Sequence, residues 1–455
     1  MLEVLILAAG EGKRMNSARP KVLQPVGGQP MLAHLIETTR SLKPSAIRIV
    51  VGAGADQVQA AFAGQDLDWV IQHQRLGTGH AAATALPAIH PEARVLILPG
   101  DMPLVGAQTL RQVVDADADL TLLSFIAADP TGYGRILRDG EQVIAIREQH
   151  DASPDEQSID ECNSGVMCAN RSRLADWLGR VDADNAQGEY YLTDCVALAI
   201  VDGRRVQCVV SADADEVLGA NDRHQLATLE ATWQTRARHR LLDAGVTLPD
   251  PPSVQIRGQV DCGRDVVIDC GVILIGEVRL GDGVSIGAHC VLENCDLAAG
   301  TRVEPHCVLT GVRTTGACSI GPFARLRPGT ELAREVKIGN FVEVKKATFA
   351  AGAKASHLSY IGDASVGAGA NLGAGTITCN YDGVNKHRTE IGAGAFVGSN
   401  SALVAPVEIG EQATIGAGSV ISRNAPAGEL TVARGRQRTI SGWRRPEPNK
   451  PSGQD

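Results

Sequence analysis

Aliphatic residues recur every six positions through the C-terminal half of this chain. They fall at Ile268, Leu274, Leu280, Ile286 and Leu292, resume at Ile320, Leu326, Leu332, Ile338 and Val344, and resume again at Ile391, Val397, Leu403, Ile409, Ile415 and Ile421. Small or β-branched residues often follow four places later, as at Val272, Val278, Val336, Ala395, Ser401 and Ser419. Neither a helix nor an alternating strand has this period. A hexapeptide β-helix does, because each hexad is one short strand and a turn whose first position points inward. The beat stalls from about Cys295 to Ser319 and from Thr348 to Glu390. A stall predicts an outward bulge, the place where a repeat scaffold holds chemistry. Inside the second stall, Ile377 to Glu390 contains Asp382-Gly383 and Asn385 and is predicted to project as a loop.

The N-terminal half has a different pattern. Strand-like runs (Val4 to Leu7, Ile47 to Val51, Trp69 to Gln72, Val95 to Leu98, Leu120 to Ala127) alternate with helix-like segments (Met31 to Arg40, Gln57 to Ala63, Thr109 to Asp115). This alternation predicts a mostly parallel, Rossmann-like α/β sheet with helices on both faces and ligands beyond its C-terminal strand ends. Between the halves, Leu226, Leu229, Trp233 and Leu241 recur at helical spacing, and Gly245 with Pro249, Pro251 and Pro252 ends the run. The expected division is therefore 1–223, a linker helix over 224–244, and 245–455. That helix is either a spacer or an ordinary packed helix of the first domain.

Composition narrows the reading. Fifty glycines suit a coil of many tight corners, and aromatics at 3% leave small aliphatics to fill the interior. A net charge of −9 argues against nucleic acid as the main partner. The eleven cysteines show no metal-ligand spacing, and Cys290, Cys307 and Cys318 read as small core filler. The opening Met1–Leu7 carries Glu3, lacks a basic start and is too short for a secretory leader, and no stretch is long enough to span a membrane. A reducing, cytoplasmic setting is expected.

The chemistry-bearing residues gather after the first strand. Leu7-Ala8-Ala9-Gly10-Glu11-Gly12-Lys13-Arg14-Met15 offers small residues whose backbone N–H groups can approach phosphate closely, although it is neither a Walker A loop nor GxGxxG. Arg14 and Lys21 supply positive charge for phosphoryl transfer. Asp101, in Pro99-Gly100-Asp101, stands at a strand end, where an Asp either holds Mg²⁺ or caps the turn.

These motifs, with Gln72, Leu76-Gly77-Thr78-Gly79-His80-Ala81, Gly132-Tyr133-Gly134-Arg135-Ile136, Glu148, Asn163-Ser164-Gly165 and Asn221, resemble a bacterial bifunctional family. Its members join an N-acetylglucosamine-1-phosphate uridylyltransferase to a glucosamine-1-phosphate N-acetyltransferase. The resemblance covers nearly the whole chain. It implies a left-handed β-helix, a homotrimer, Mg²⁺, and small-molecule substrates that feed peptidoglycan and lipopolysaccharide synthesis, with no nucleic acid partner and no membrane insertion.

Residue by residue, the resemblance implies that Leu7, Ala8, Ala9, Gly10, Pro99 and Gly100 line the nucleotide. Gln72, Gly77 and Thr78 take the uracil end, and Gly134, Glu148 and Asn163 hold the sugar. Asp101 and Asn221 bind the metal, while Arg14 and Lys21 stabilise the transferring phosphorus. The chain departs from the family at Lys13, where Thr is usual, and at Pro99, where Tyr is common.

In the second half the matching motifs are Arg325-Leu326-Arg327-Pro328-Gly329, Val344-Lys345-Lys346, His357-Leu358-Ser359-Tyr360-Ile361-Gly362-Asp363 and Gly375 to Gly383. They imply that Arg327, Lys345, Tyr360 and Asn371 hold glucosamine-1-phosphate and that His357 is the general base. Ala374, Asn380, Tyr381, Ser399, Ala417 and Arg434 meet acetyl-CoA, with a backbone N–H near Ala374 facing the oxyanion. Residues about eighteen apart share a face of a β-helix, so Arg327, Lys345, His357 and Tyr360 are expected on one side. Glu343 is a candidate to orient His357, and Trp443 and Arg444 to meet a neighbouring subunit. The alternatives are a nucleotidyltransferase with a purely structural or regulatory β-helix and a non-enzymatic scaffold. The first has no use for His357, Lys345 and Asn380-Tyr381 together, and the second none for Asp101, Asn221, Lys21 and Arg14.

Overall fold

The first apolar run is hydrophobic on both faces, and a strand buried on both sides needs that composition. It forms the centre of a nine-stranded sheet in the computed structural model, which describes residues 1–446. The strands are β1 (Leu2–Ala8), β2 (Ala46–Val51), β3 (Asp68–Ile71), β4 (Arg94–Pro99), β5 (Leu120–Ile126), β6 (Arg135–Asp139), β7 (Gln142–Arg147), β8 (Glu161–Asn170) and β9 (Val206–Val210). Their order is β9-β5-β8-β4-β1-β2-β3, and β6 pairs with β8 and β7. All pairs from β3 to β4 are parallel, β8 is antiparallel to both β4 and β5, and β9 is parallel to β5. Leu5 packs into one core with Trp177 and Leu192, while Val4 and Ile6 pack into a second with Leu32 and Phe125. The helices of both faces cover these cores. The β6–β7 hairpin and the antiparallel β8 interrupt the parallel pattern.

The chain divides into two compact units, Met1–Arg240 with Ile256–Gly258, and Leu241–Gln255 with the residues from Gln259 onward. The helix Arg223–Asp243 is continuous. Three of its partners lie in the first unit: Arg223 Nε donates to Met15 O (3.0 Å), Glu230 Oε2 accepts from Gly27 N (2.6 Å), and Arg236 Nη1 donates to Leu104 O (2.9 Å). Gly27, at φ +56°, lies against Trp233 of this helix, and the indole occupies the place of any Cβ there.

The second unit is a parallel β-helix. Every residue of the six-residue beat named above is at most 3% exposed. Its strands stack as one sheet from Gln255–Cys262 to Val420–Ile421 and another from Val267–Ile268 to Leu430–Thr431. Most coils are seventeen or eighteen residues long: Ile268 pairs with Ile286, Ile286 with Val303, Val303 with Ile320 and Ile320 with Ile338. The first stall is therefore no bulge, because the stack runs through it with one residue fewer per coil. Most of the second stall is the same, with Ile338 on Ala355 and Ala355 on Leu372. Among the described residues one coil is long, twenty-five residues from Leu372 to Val397. Its excess is the loop between the strands Ile377–Cys379 and Thr389–Ile391. The Pro-rich stretch beyond Pro446 lies outside the described residues.

Cys290, Cys295, Cys307 and Cys318 point into the β-helix and are at most 5% exposed. Burial pushes the thiols of Cys295 and Cys318 up to about 11, which suits inert filler.

Candidate functional sites

A cleft of about 960 Å³ opens beyond the C-terminal ends of β1, β3 and β4. Leu7, Ala9 and Gly10 reach it from β1, Gln72, Gly77 and Thr78 from the loop after β3, and Pro99 and Asp101 from β4. Gly134, Glu148, Asn163 and Asn221 close the far side. Ala8 is buried beneath the cleft floor. Gly100 lies where two strand ends converge, and a Cβ there would come within 3.0 Å of Leu7 O.

Asp101 and Asn221, which line the cleft, are joined by Lys21. Its ammonium lies 2.5 Å from Asp101 Oδ2 and donates to Asn221 Oδ1 at 2.7 Å. Gly12, at φ +63°, makes this reach possible, since a Cβ there would stand 2.8 Å from that of Lys21. Gly219 has a similar role behind Asp101, where a Cβ would sit 2.9 Å from Oδ2. One carboxylate and one amide oxygen thus converge on a single point. That donor set fits Mg²⁺, which takes few protein oxygens and completes its shell with water and phosphate. No cluster of three or more His, Cys, Asp or Glu side chains able to hold a metal occurs among the described residues.

The phosphate loop ends in a three-residue 3-10 turn, Lys13–Met15. A phosphate placed there would meet loop N–H groups and side-chain charge instead of a long helix dipole. Lys13 lines the cleft, while Arg14 is exposed and does not. Gln72, 4% exposed, turns its amide nitrogen to His80 Nδ1 (2.9 Å), a partner the sequence motif contains without announcing. The Thr78 hydroxyl accepts from Leu192 N (3.0 Å). Burial raises the Glu148 carboxyl above its ordinary range, opposed by a hydrogen bond from Thr193 (2.9 Å).

On the β-helix the register builds the second site. Asn340 pairs with His357, and the same ladder carried onward puts Ala374, Ser399 and Ala417 at the equivalent place in successive coils. Arg434 Nη1 donates to Ala417 O at the foot of this column (2.7 Å). Asn371 lies on the same sheet, between Lys354 and Phe396.

The other sheet carries Arg327 and Lys345, which stack in adjacent coils, with Gly362 next. Tyr360 is on this sheet too, its ring lying over Gly362, where a Cβ would meet the hydroxyl at 2.5 Å. His357 therefore does not share a face with Arg327 and Lys345. The two faces meet at the corner formed by Leu358 and Ser359.

Glu343 pairs with Arg327 Nη1 (3.0 Å) and does not orient His357. Asn340 does, its Oδ1 standing 2.6 Å from His357 Nδ1. An amide oxygen there selects the tautomer with hydrogen on Nδ1 and leaves the Nε2 lone pair free to take a proton. Asn340→Ala is expected to lower acetyl-transfer kcat about tenfold, the value of one hydrogen bond. Steady-state kinetics should show KM for acetyl-CoA and uridylyl transfer unmoved. The sequence signal for Asn340 was its position one coil before His357.

Lys386, in the long loop, is the other residue that spacing did not reveal. Lys386 first, then loss of hydration, and then Arg327 lower the Lys345 ammonium below its ordinary value, which marks three cations near one another. Asn380 donates to Asp363 Oδ2 (2.5 Å) at the base of the loop, and Tyr381 donates to Gly383 O (2.5 Å) while leaving its ring exposed. Ser399 is exposed on the column's outer surface.

Comparison with known proteins agrees with both halves. Residues 4–150 match the MobA-like NTP transferase domain, and residues 388–423 match the bacterial transferase hexapeptide family of six repeats. The chain is 54% identical to the bifunctional protein GlmU of Alkalilimnicola ehrlichii over 458 residues, covering 100% of this chain and 99% of that one. It is 58% identical to GlmU of Xanthomonas oryzae pv. oryzae, covering 98% of each chain, and 53% identical to that of Stutzerimonas stutzeri, covering 98% and 99%. With such identity along its whole length, and with a nucleotide-sized cleft and a β-helix on one polypeptide, this chain belongs to the bifunctional GlmU family.

Proposed function

We propose that the chain makes UDP-N-acetylglucosamine in two steps, acetyl transfer on residues 245–455 and uridylyl transfer on residues 1–223. In the first, the amine of glucosamine-1-phosphate attacks the thioester carbonyl of acetyl-CoA. His357 Nε2 takes the amine proton, the C–S bond breaks, and coenzyme A leaves as its thiol. Arg327, Lys345 and Lys386 hold the sugar phosphate, and a backbone N–H near Ala374 meets the oxyanion. In the second, a phosphate oxygen of N-acetylglucosamine-1-phosphate attacks the α-phosphorus of UTP and pyrophosphate leaves. Lys21 neutralises charge that develops on the phosphoryl oxygens, and Glu148 and Asn163 hold the sugar. Mg²⁺ held by Asp101 and Asn221 supplies Lewis-acid charge neutralisation.

The observation that carries two activities over one is the column of His357, Ala374, Ser399 and Ala417. An inert β-helix has no use for a tautomer-fixed histidine at the head of a run of small side chains. The test is thiol release from acetyl-CoA with glucosamine-1-phosphate, followed by UTP-dependent pyrophosphate release. A folded chain that releases pyrophosphate but no thiol would leave a single-function nucleotidyltransferase.

A homotrimer through the β-helix fits the exposed corner beside His357. There Phe323, Phe341 and Leu358 are 48%, 55% and 62% exposed. Light scattering is expected to give three times the chain mass, and a monomer with full acetyl transfer would refute it. Among the described residues no helix is long and apolar enough to cross a membrane.

A further inference from the structure

Three charged side chains at the cleft have no part in the mechanism above. Glu11, in the phosphate loop, pairs with Arg75 Nη1 at 2.7 Å and with Lys13 Nζ at 3.2 Å. All three line the cleft. Arg75 lies on the loop after β3, between Gln72 and Gly77, so the pair ties that loop to the phosphate loop. Glu11 is an odd residue for its place, because a carboxylate facing an entering polyphosphate repels it. With both cations attached, the cluster carries a net positive charge, and the carboxylate occupies the position of a phosphate relative to Arg75 and Lys13. Arg75 first, and then Lys13, hold its carboxyl below the ordinary range. The side chains of Glu11 and Arg75 are 40% and 43% exposed, so the pair is free to exchange partners.

We infer that Arg75 is a binding residue for the polyphosphate tail of the nucleotide, kept in position by Glu11 until a triphosphate displaces that carboxylate. A guanidinium matches phosphate oxygens in a two-pronged geometry, and the exchange trades an exposed surface ion pair of small value for a charge-assisted pair inside the cleft. The residue would therefore read the length of the phosphate tail and leave the base and sugar alone. The inference rests on the uridylyl-transfer reading of the cleft.

The experiment is calorimetric titration of UTP and of UMP into the full chain and into Arg75→Gln and Glu11→Gln, with Mg²⁺ present. Arg75→Gln is expected to weaken UTP about tenfold, the effect of one charge-assisted bond, and UMP less than twofold. Glu11→Gln is expected to tighten UTP, because it frees Arg75 in advance. UTP affinity unchanged in Arg75→Gln, or equal weakening of UTP and UMP, would overturn the inference, as would weaker UTP binding by Glu11→Gln. A thermal melt of each variant that matches the native chain's reports that the nucleotide-cleft unit has folded. A native chain that binds UTP with this pattern yet transfers no uridylyl group would refute the proposed function and leave Arg75's role standing.

Discussion

Replacing His357 with alanine is expected to slow acetyl transfer by about 10²–10⁴-fold, the usual contribution of a positioned general base. Uridylyl transfer should stay at its native rate. The amine of the acceptor is protonated near neutral pH and cannot attack until a base relieves it. His357 is the proposed base, with Nδ1 against Asn340 Oδ1 and Nε2 left open. Thiol release from acetyl-CoA measures the loss directly. The Asn340→Ala effect should disappear in the His357→Ala background, because Asn340 acts only through the imidazole, and a double-mutant cycle shows this as full non-additivity. If His357→Ala keeps more than a tenth of native thiol release, the base lies elsewhere.

The second large effect is expected from Asp101→Ala, a loss of uridylyl transfer on the order of a thousandfold with acetyl transfer intact. Removing this carboxylate does two things. It takes away the charged half of the oxygen pair that suits Mg²⁺, and it leaves the Lys21 ammonium with Asn221 alone. Asp101→Asn keeps the shape and removes the charge, so an equal loss in that variant assigns the effect to charge. Pyrophosphate release is the readout, and its persistence in Asp101→Ala would remove Asp101 from the metal site. Loss of both activities together would show that the two halves are not independent.

Much of the β-helix was legible because its inward position repeats strictly and tolerates only small or branched side chains. The stalls misled for a physical reason. A coil can lose one residue at a corner while its strands keep their register, as between Ile286 and Val303. A search for period six reads that slip of phase as lost structure. The true insertion, after Cys379, was visible through Asp382-Gly383 and Asn385, since turn formers mark it independently of the beat. In the first half, the parallel strands announced themselves by runs apolar on both faces. The β6–β7 hairpin and β8 did not, because β8 mixes Asn163, Ser164 and Gly165 at the cleft with core residues Val166 to Ala169. Glu343 was a natural choice for His357 by nearness in sequence. Spatial nearness on a β-helix is one coil, which is why Asn340 holds the imidazole and Glu343 turns to Arg327.

The column from His357 to Ala417 also behaves as a ruler whose smallest division is a whole coil. Each step is one strand spacing, so its span is about 14 Å. Point substitutions alter what a carrier molecule touches along this span and leave its length fixed. Even the long loop after Cys379 adds residues sideways and no height, since Leu372 still stacks directly on Val397. Lengthening the reach from base to Arg434 would take insertion of a complete seventeen- or eighteen-residue coil. The reach of the proposed acyl-carrier site therefore changes only by discrete lengths.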